Sequence, residues 1–315
     1  MRTKIDIDEG IWSKEVLKIL LFDRTTNKNI LWATEDYEYL GEEYHSHFEI
    51  KPHLITGINS SVIQPRVEKN KEEQIIRTKG KAEVFSPSWL CNNQNNLIDH
   101  AWFGKENVFN SSKGKCWETN YEKIEFPNLN NKTWQKYVDE KRMEITCGEA
   151  PYLVSRYDAV SGEIINLKDR IGLLDRKLRI VAENTNSEED WLKWSQRAFE
   201  SIYGFEFQGD SLLLARENIL ITYIDYMDDK LNREPTEEEL QLIANIISWN
   251  IWQMDGLTYT IPFQVKKEFT RQLSIFDFID NKIEEEQDYL CKIKDWRSKK
   301  TVFFSELLDR GNKNE

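Results

Sequence analysis

Apolar positions along this chain come in short runs whose spacing changes from one region to the next. LKILLFD (17–23) and KNILWAT (28–34) flank a turn-like RTTNK and predict strands, so residues 1–65 read as a small β-containing lobe. Residues 66–81, RVEKNKEEQIIRTKGK, form a charged connector. AEVFSPSWLCNNQNNLIDHAWF turns at Ser86–Pro87 and continues as a helix with Leu90, Leu97, Ile98 and Ala101 as its apolar positions. Residues 104–131 are rich in Asn, Lys and Gly and read as loop; TWQKYVDE is a short helix. RMEITCGEAPYLVSRYD predicts a strand, a small-residue turn and a helix start. Residues 159–200 read as a polar insert carrying RIGLLDRKLRIV and the helix SEEDWLKWSQRAFESIY, with Ser187 and Asp190 a loose capping pair. A strand at Ile202–Phe205 and a helix over 211–230 follow. Thr236, with Glu239 three positions on, opens a helix through LIANIISWNIWQ. After MDGLTYTIP comes a charged tail with strand-like CKIKDW and TVFFSELL.

Strands and helices alternate from 140 to 262, which predicts an α/β fold with a partly parallel sheet. The division is a lobe at 1–65, the connector 66–81, a main domain 82–265 and a charged extension 266–315 suited to docking a partner. Hydrophobic residues at 39% and charged residues at 31% of 315 fit a globular chain and exclude disorder. No window has the apolar length of a membrane span, and MRTKIDIDEG lacks the apolar core of a signal peptide. Four scattered cysteines are then reduced thiols, and the expected location is cytoplasmic. A net charge of −12 excludes nucleic-acid binding through the average field. Residues 66–81 and 292–300 are locally basic; such runs are usually solvated faces.

Candidate chemistry centres on SIYGFEFQGDSLLLARENIL (201–220), where Glu206 ends a strand just before a helix. An acid there can accept hydrogen bonds from both hydroxyls of a ribose. In RMEITCGEAPYL, Thr146, Cys147 and Gly148 form the turn; Gly148 lets backbone approach a ligand, and a following helix would offer free N–H groups. His45, His47 and His53 have no cysteine nearby and read as surface histidines rather than a zinc site. Cys147 has no neighbouring base to make it a nucleophile. Trp249 and Trp252, at helical spacing, read as core.

Four segments in order, EVFSPSW (83–89), RMEITCGEAPYL, IYGFE…LARENIL and NIWQMDGL, resemble the gamma-class N6-adenine DNA methyltransferases of restriction–modification systems, over roughly residues 80–260. The resemblance implies a Rossmann-like fold with S-adenosylmethionine as cofactor. Phe85, Ser86 and Pro87 would hold its methionine end. Glu144 takes the leading acid of the glycine motif, Thr146, Cys147 and Gly148 its turn, and Ala150 replaces its second glycine. Glu206 would hold the ribose, Phe205 or Phe207 would stack on the adenine, and Asp255 would accept from the adenine amine.

That family grips an extruded target adenine with an Asn-Pro-Pro-aromatic motif. Here the prolines, at 52, 65, 87, 127, 151, 235 and 262, are all isolated. The chain thus reads as the cofactor-binding subunit of a split adenine-N6 DNA methyltransferase, and its sheet would be incomplete. A second protein subunit would carry the Pro-Pro strand and target recognition, and DNA would be the shared partner. Methyl transfer would run in line from sulfonium to N6 and need no metal. The alternative is a catalytically inactive, methyltransferase-like DNA-binding or regulatory subunit.

Overall fold

The computed structural model describes residues 5, 9–71, 74, 77, 86–127, 132–264 and 289–311; Phe85 and most of 266–315 lie outside that set. Its described part is a mixed α/β fold with eight helices and small sheets. The central sheet has three parallel strands in the order β5 (Arg142–Ile145), β6 (Ile202–Glu206) and β7 (Ile251–Gln253). Two helices cross from β5 to β6, α4 (Leu173–Asn184) and α5 (Glu188–Phe199). Two more cross from β6 to β7, α6 (Gly209–Leu231) and α7 (Glu237–Asn250). The stretch 159–200, expected as an insert, is therefore largely the first crossover. Its Leu174, Leu178, Ile180 and Val181 are buried in the main core.

Alternation along the strands divides the interior in two. Ile202 and Ile251 point into the helical core. Tyr203, Phe205 and Trp252 point to the opposite face, where Cys291, Ile293 and Phe304 cover them. That cover comes from the hairpin β8 (Lys292–Asp295) and β9 (Lys300–Phe303) and from α8 (Phe304–Gly311). Trp252 is core as expected, but it sits on β7; the α7 helix ends at Asn250. The cover stops short of β5, which pairs only with β6 among the described residues. Met143 and Ile145 there are 37% and 69% exposed.

The N-terminal lobe departs from the expected strands. LKILLFD is mostly the helix α1 (Lys14–Leu21), capped by Ser13, whose Oγ accepts the Val16 N–H at 3.1 Å. Val16, Leu17, Leu20 and Leu21 form one buried stripe, so helical periodicity prevails over the continuous apolar look of the run. Only the two-residue strands β1 (Phe22–Asp23) and β2 (Lys28–Asn29) flank the RTTNK turn.

The helix α2 (Ser88–Phe103) forms where expected but faces the other way. Leu97 is 68% exposed, while Asn92, Asn95 and Asp99 are buried. Arg176 of α4 pairs with Asp99 and donates to Asn92 at 2.8 Å, and Asn95 donates to the carbonyls of Tyr152 and Ile171, both at 3.0 Å. Asn92 also exchanges hydrogen bonds with Asn110 of β3 (Asn110–Lys113), which pairs with β4 (Cys116–Thr119) in the stretch expected as loop. The TWQKYVDE helix is α3 (Trp134–Asp139). Among the described residues no helix is long and apolar enough to cross a membrane.

Candidate functional site

A cavity of about 830 Å³ opens at the carboxyl ends of β5 and β6, where open parallel sheets hold ligands. It gathers residues from separated segments: Ser86, then Glu144 with Thr146, Cys147 and Gly148, then Glu206 and Phe207. Thr146, Gly148 and Ala150 all have positive φ, at +50°, +51° and +65°. Left-handed residues at alternate positions fold residues 146–150 into a compact turn, in which the Cys147 N–H donates to the Phe205 carbonyl at 2.8 Å and the Ala150 N–H to the Cys147 carbonyl at 2.7 Å. Ala150 adopts the conformation a glycine would take there, with its methyl buried.

Glu206 holds this turn to the start of α6. Its Oε2 accepts the Gly148 N–H at 2.8 Å, and its Oε1 accepts those of Phe207 and Gln208 at 2.8 and 3.2 Å. Burial raises its pKa against those three donors. Glu144 accepts the N–H groups of Tyr152 and Leu153 at 3.3 and 3.1 Å; burial pushes its carboxyl up to about 8. From α6, Asn218 donates to the Glu149 carbonyl at 3.1 Å, fixing the far side of the turn. Arg216 is fully buried and donates to the carbonyls of Ile251, Leu20, Phe22 and Ser248, so it joins helix, sheet and lobe. Burial drives the Cys147 thiol well above its ordinary pKa, which removes it as a nucleophile.

The helix expected directly after the turn does not form. Residues 151–172 run through turns, an isolated bridge and a single 3-10 turn, and the next α-helix starts at Leu173. The turn is therefore not followed by a helix N-terminus. Ser86 lines the cavity, its Oγ accepting from the Tyr152 hydroxyl at 3.2 Å. Pro87 faces a neighbouring cavity with Trp89 and Trp117. Phe205 lies on the opposite face of the sheet against Trp252 and Phe304, out of reach of a ligand here. Asp255 is also outside the lining; its Oδ1 accepts the N–H of Leu257 at 2.8 Å and caps its own turn.

Aromatic lining comes instead from Phe207 and from Phe263, whose rings lie 5.7 Å apart; His47 packs on Phe263 at 4.1 Å. Among the described residues no His/Cys/Asp/Glu group could hold a metal ion. Nor do all the connector's cations face water: Lys69 and Arg77 are buried in ion pairs with Asp210 at the start of α6.

The largest surprise in the lining is the N-terminal lobe. Ala33, Thr34, Glu35 and Ser46 form one wall, and no local pattern in residues 11–65 announces it. The wall is fixed. The Gln253 amide accepts from Leu31 N–H and donates to the carbonyls of Leu31 and Phe207. Gly209 donates to the Trp32 carbonyl at 2.9 Å, and a Cβ at Gly209 would stand 1.9 Å from the Leu31 oxygen, so only glycine permits this approach.

Among the described residues the ionisable acids of the lining are Glu35, Glu144 and Glu206, with no Lys or Arg. With its aromatic wall and acidic lining, the cavity suits a ligand combining a flat ring system, hydroxyls and positive charge. Comparison with protein-family models, with curated proteins and with solved structures finds no match.

Proposed function

We propose that this cavity binds S-adenosylmethionine, and that the chain is the cofactor-binding subunit of a split adenine-N6 DNA methyltransferase. One observation carries the reading: Ser86, Glu144, Thr146 to Gly148, Glu206 and Phe207, from three separated segments, line one cavity. The carboxylates of Glu35 and Glu206 favour a sulfonium cation, Phe207 and Phe263 offer faces to the purine, and the Glu206 Oε2 keeps a lone pair for a ribose hydroxyl. When bound, the cofactor supplies an activated methyl group; this chain's residues hold and orient it.

The partner reading rests on three further features. The chain has no Pro-Pro pair to grip a target base. Its −12 charge leaves the grip on DNA to another subunit. Among the described residues β5 pairs on one edge only, and its exposed Met143 and Ile145 leave room beside the cavity for a further strand.

Calorimetric titration of the purified chain with S-adenosylmethionine tests the first half. No heat of binding, alone or with a co-purified partner, removes the proposal. Adenine methylation by the complex, lost on Glu206→Ala, tests the second.

A further inference from the structure

Among the described residues three acidic side chains line the cavity, and two are already engaged. Glu206 accepts three backbone N–H groups and Glu144 accepts two. Glu35 stands apart: among the described residues its side chain accepts no hydrogen bond and makes no ion pair. It belongs to the lobe segment held against the Phe207 end of the cavity. The same Gln253 amide nitrogen binds both the Leu31 and the Phe207 carbonyls, and Gly209 binds Trp32. Thr34, beside Glu35, donates to Asp36 at 2.8 Å, which helps fix the local backbone.

The Phe207 end, with Phe263 next to it, is where a purine ring would lie. Asp255, the acid that the family resemblance assigns to the purine amine, is spent on its own turn and does not line the cavity. The geometry points to Glu35 as the acceptor for the exocyclic amine of the bound purine. This rests on the cofactor reading above and deepens it, because a residue of the N-terminal lobe then sets base specificity. A carboxylate accepts from a 6-amino group and repels a 6-oxo group, so the site takes adenine nucleosides and rejects hypoxanthine ones.

The test is calorimetric titration of the full chain, and of Glu35→Gln, with S-adenosylhomocysteine and with S-inosylhomocysteine. The wild type should prefer the adenine ligand by roughly tenfold or more, the effect of one charge-assisted hydrogen bond. Glu35→Gln should weaken the adenine ligand by about tenfold and shrink that preference, since an amide can donate as well as accept. Glu35 is exposed, so thermal denaturation of the variant should match the wild type. An unchanged preference in Glu35→Gln overturns this inference alone. Failure of the wild type to bind either ligand overturns it together with the cofactor reading.

Discussion

The Glu206 carboxylate accepts the Gly148 N–H at 2.8 Å, bonding the end of β6 directly to the turn that follows β5. Two neighbouring strands thus meet beyond their carboxyl ends through one side chain, which also accepts from Phe207 and Gln208. Glu206→Gln keeps the shape but turns an NH₂ group toward these donors. It should cost about 1–3 kcal/mol, the penalty for a buried donor without an acceptor. Urea denaturation reads the loss, and titration with S-adenosylmethionine should show weaker binding. An unchanged midpoint would mean that the carboxylate does not hold the turn.

Glu144, 7% exposed, has its carboxyl raised from 4.5 to about 8 by burial. A raised folded pKa means the native state holds the proton more tightly. The stabilisation is complete below pH 4.5 and is lost as pH rises through 8. Across that window it amounts to a few kcal/mol, on the order of 1.4 kcal/mol per unit. Glu144→Gln mimics the protonated form, so its stability relative to the wild type should rise between pH 5 and pH 9. Asp175, raised to about 6 by burial, contributes in the same direction at lower pH, so the measured quantity is the difference between wild type and variant. A difference independent of pH would refute the buried-acid assignment.

Ala150 holds φ at +65° with its methyl buried. Glycine relieves about 1–2 kcal/mol of left-handed strain and gives up a methyl worth about 0.8 kcal/mol plus some backbone entropy. Ala150→Gly should therefore lie within about 1 kcal/mol of the wild type. Ala150→Val adds β-branched bulk at positive φ inside the core and should cost about 3 kcal/mol or more. Chemical denaturation of the two variants separates the effects; a tolerated valine would show that the turn relaxes.

The inverted α2 helix gives a contrast in one element. Leu97→Lys replaces an exposed side chain and should change stability by less than about 0.5 kcal/mol. Arg176→Met leaves Asp99 buried without its cation and should cost about 3–5 kcal/mol. If thermal denaturation finds Leu97→Lys the more damaging of the two, the helix is rotated from the orientation described here.

Local signals were legible where a side chain acts on its own backbone. Thr236 and Glu239 cap α7 reciprocally, and Ser187 caps α5. The grouping of Glu144, Gly148 and Glu206 was implied by the order of the segments that carry the methyltransferase resemblance. Long-range partners defeated the reading elsewhere. The polar residues of α2 look like a solvent face until Arg176, some 80 positions on, is known to sit under them. Phe205 and Phe207 look equivalent in sequence, but β6 ends at Glu206, so Phe207 leaves the face on which strand alternation places Phe205. Glu35 is silent because its place in the cavity wall depends on Gln253 and Gly209.

The docking of the N-terminal lobe also constrains how the molecule is made. Trp12 bonds to Glu217, Arg24 to Ser248 and Leu31 to Gln253, at separations of 205, 224 and 222 residues. Contacts so distant along the chain close late and slow folding. The Leu31–Gln253 contact cannot close until β7 has left the ribosome, so the cavity wall it fixes is among the last parts of the protein to be completed.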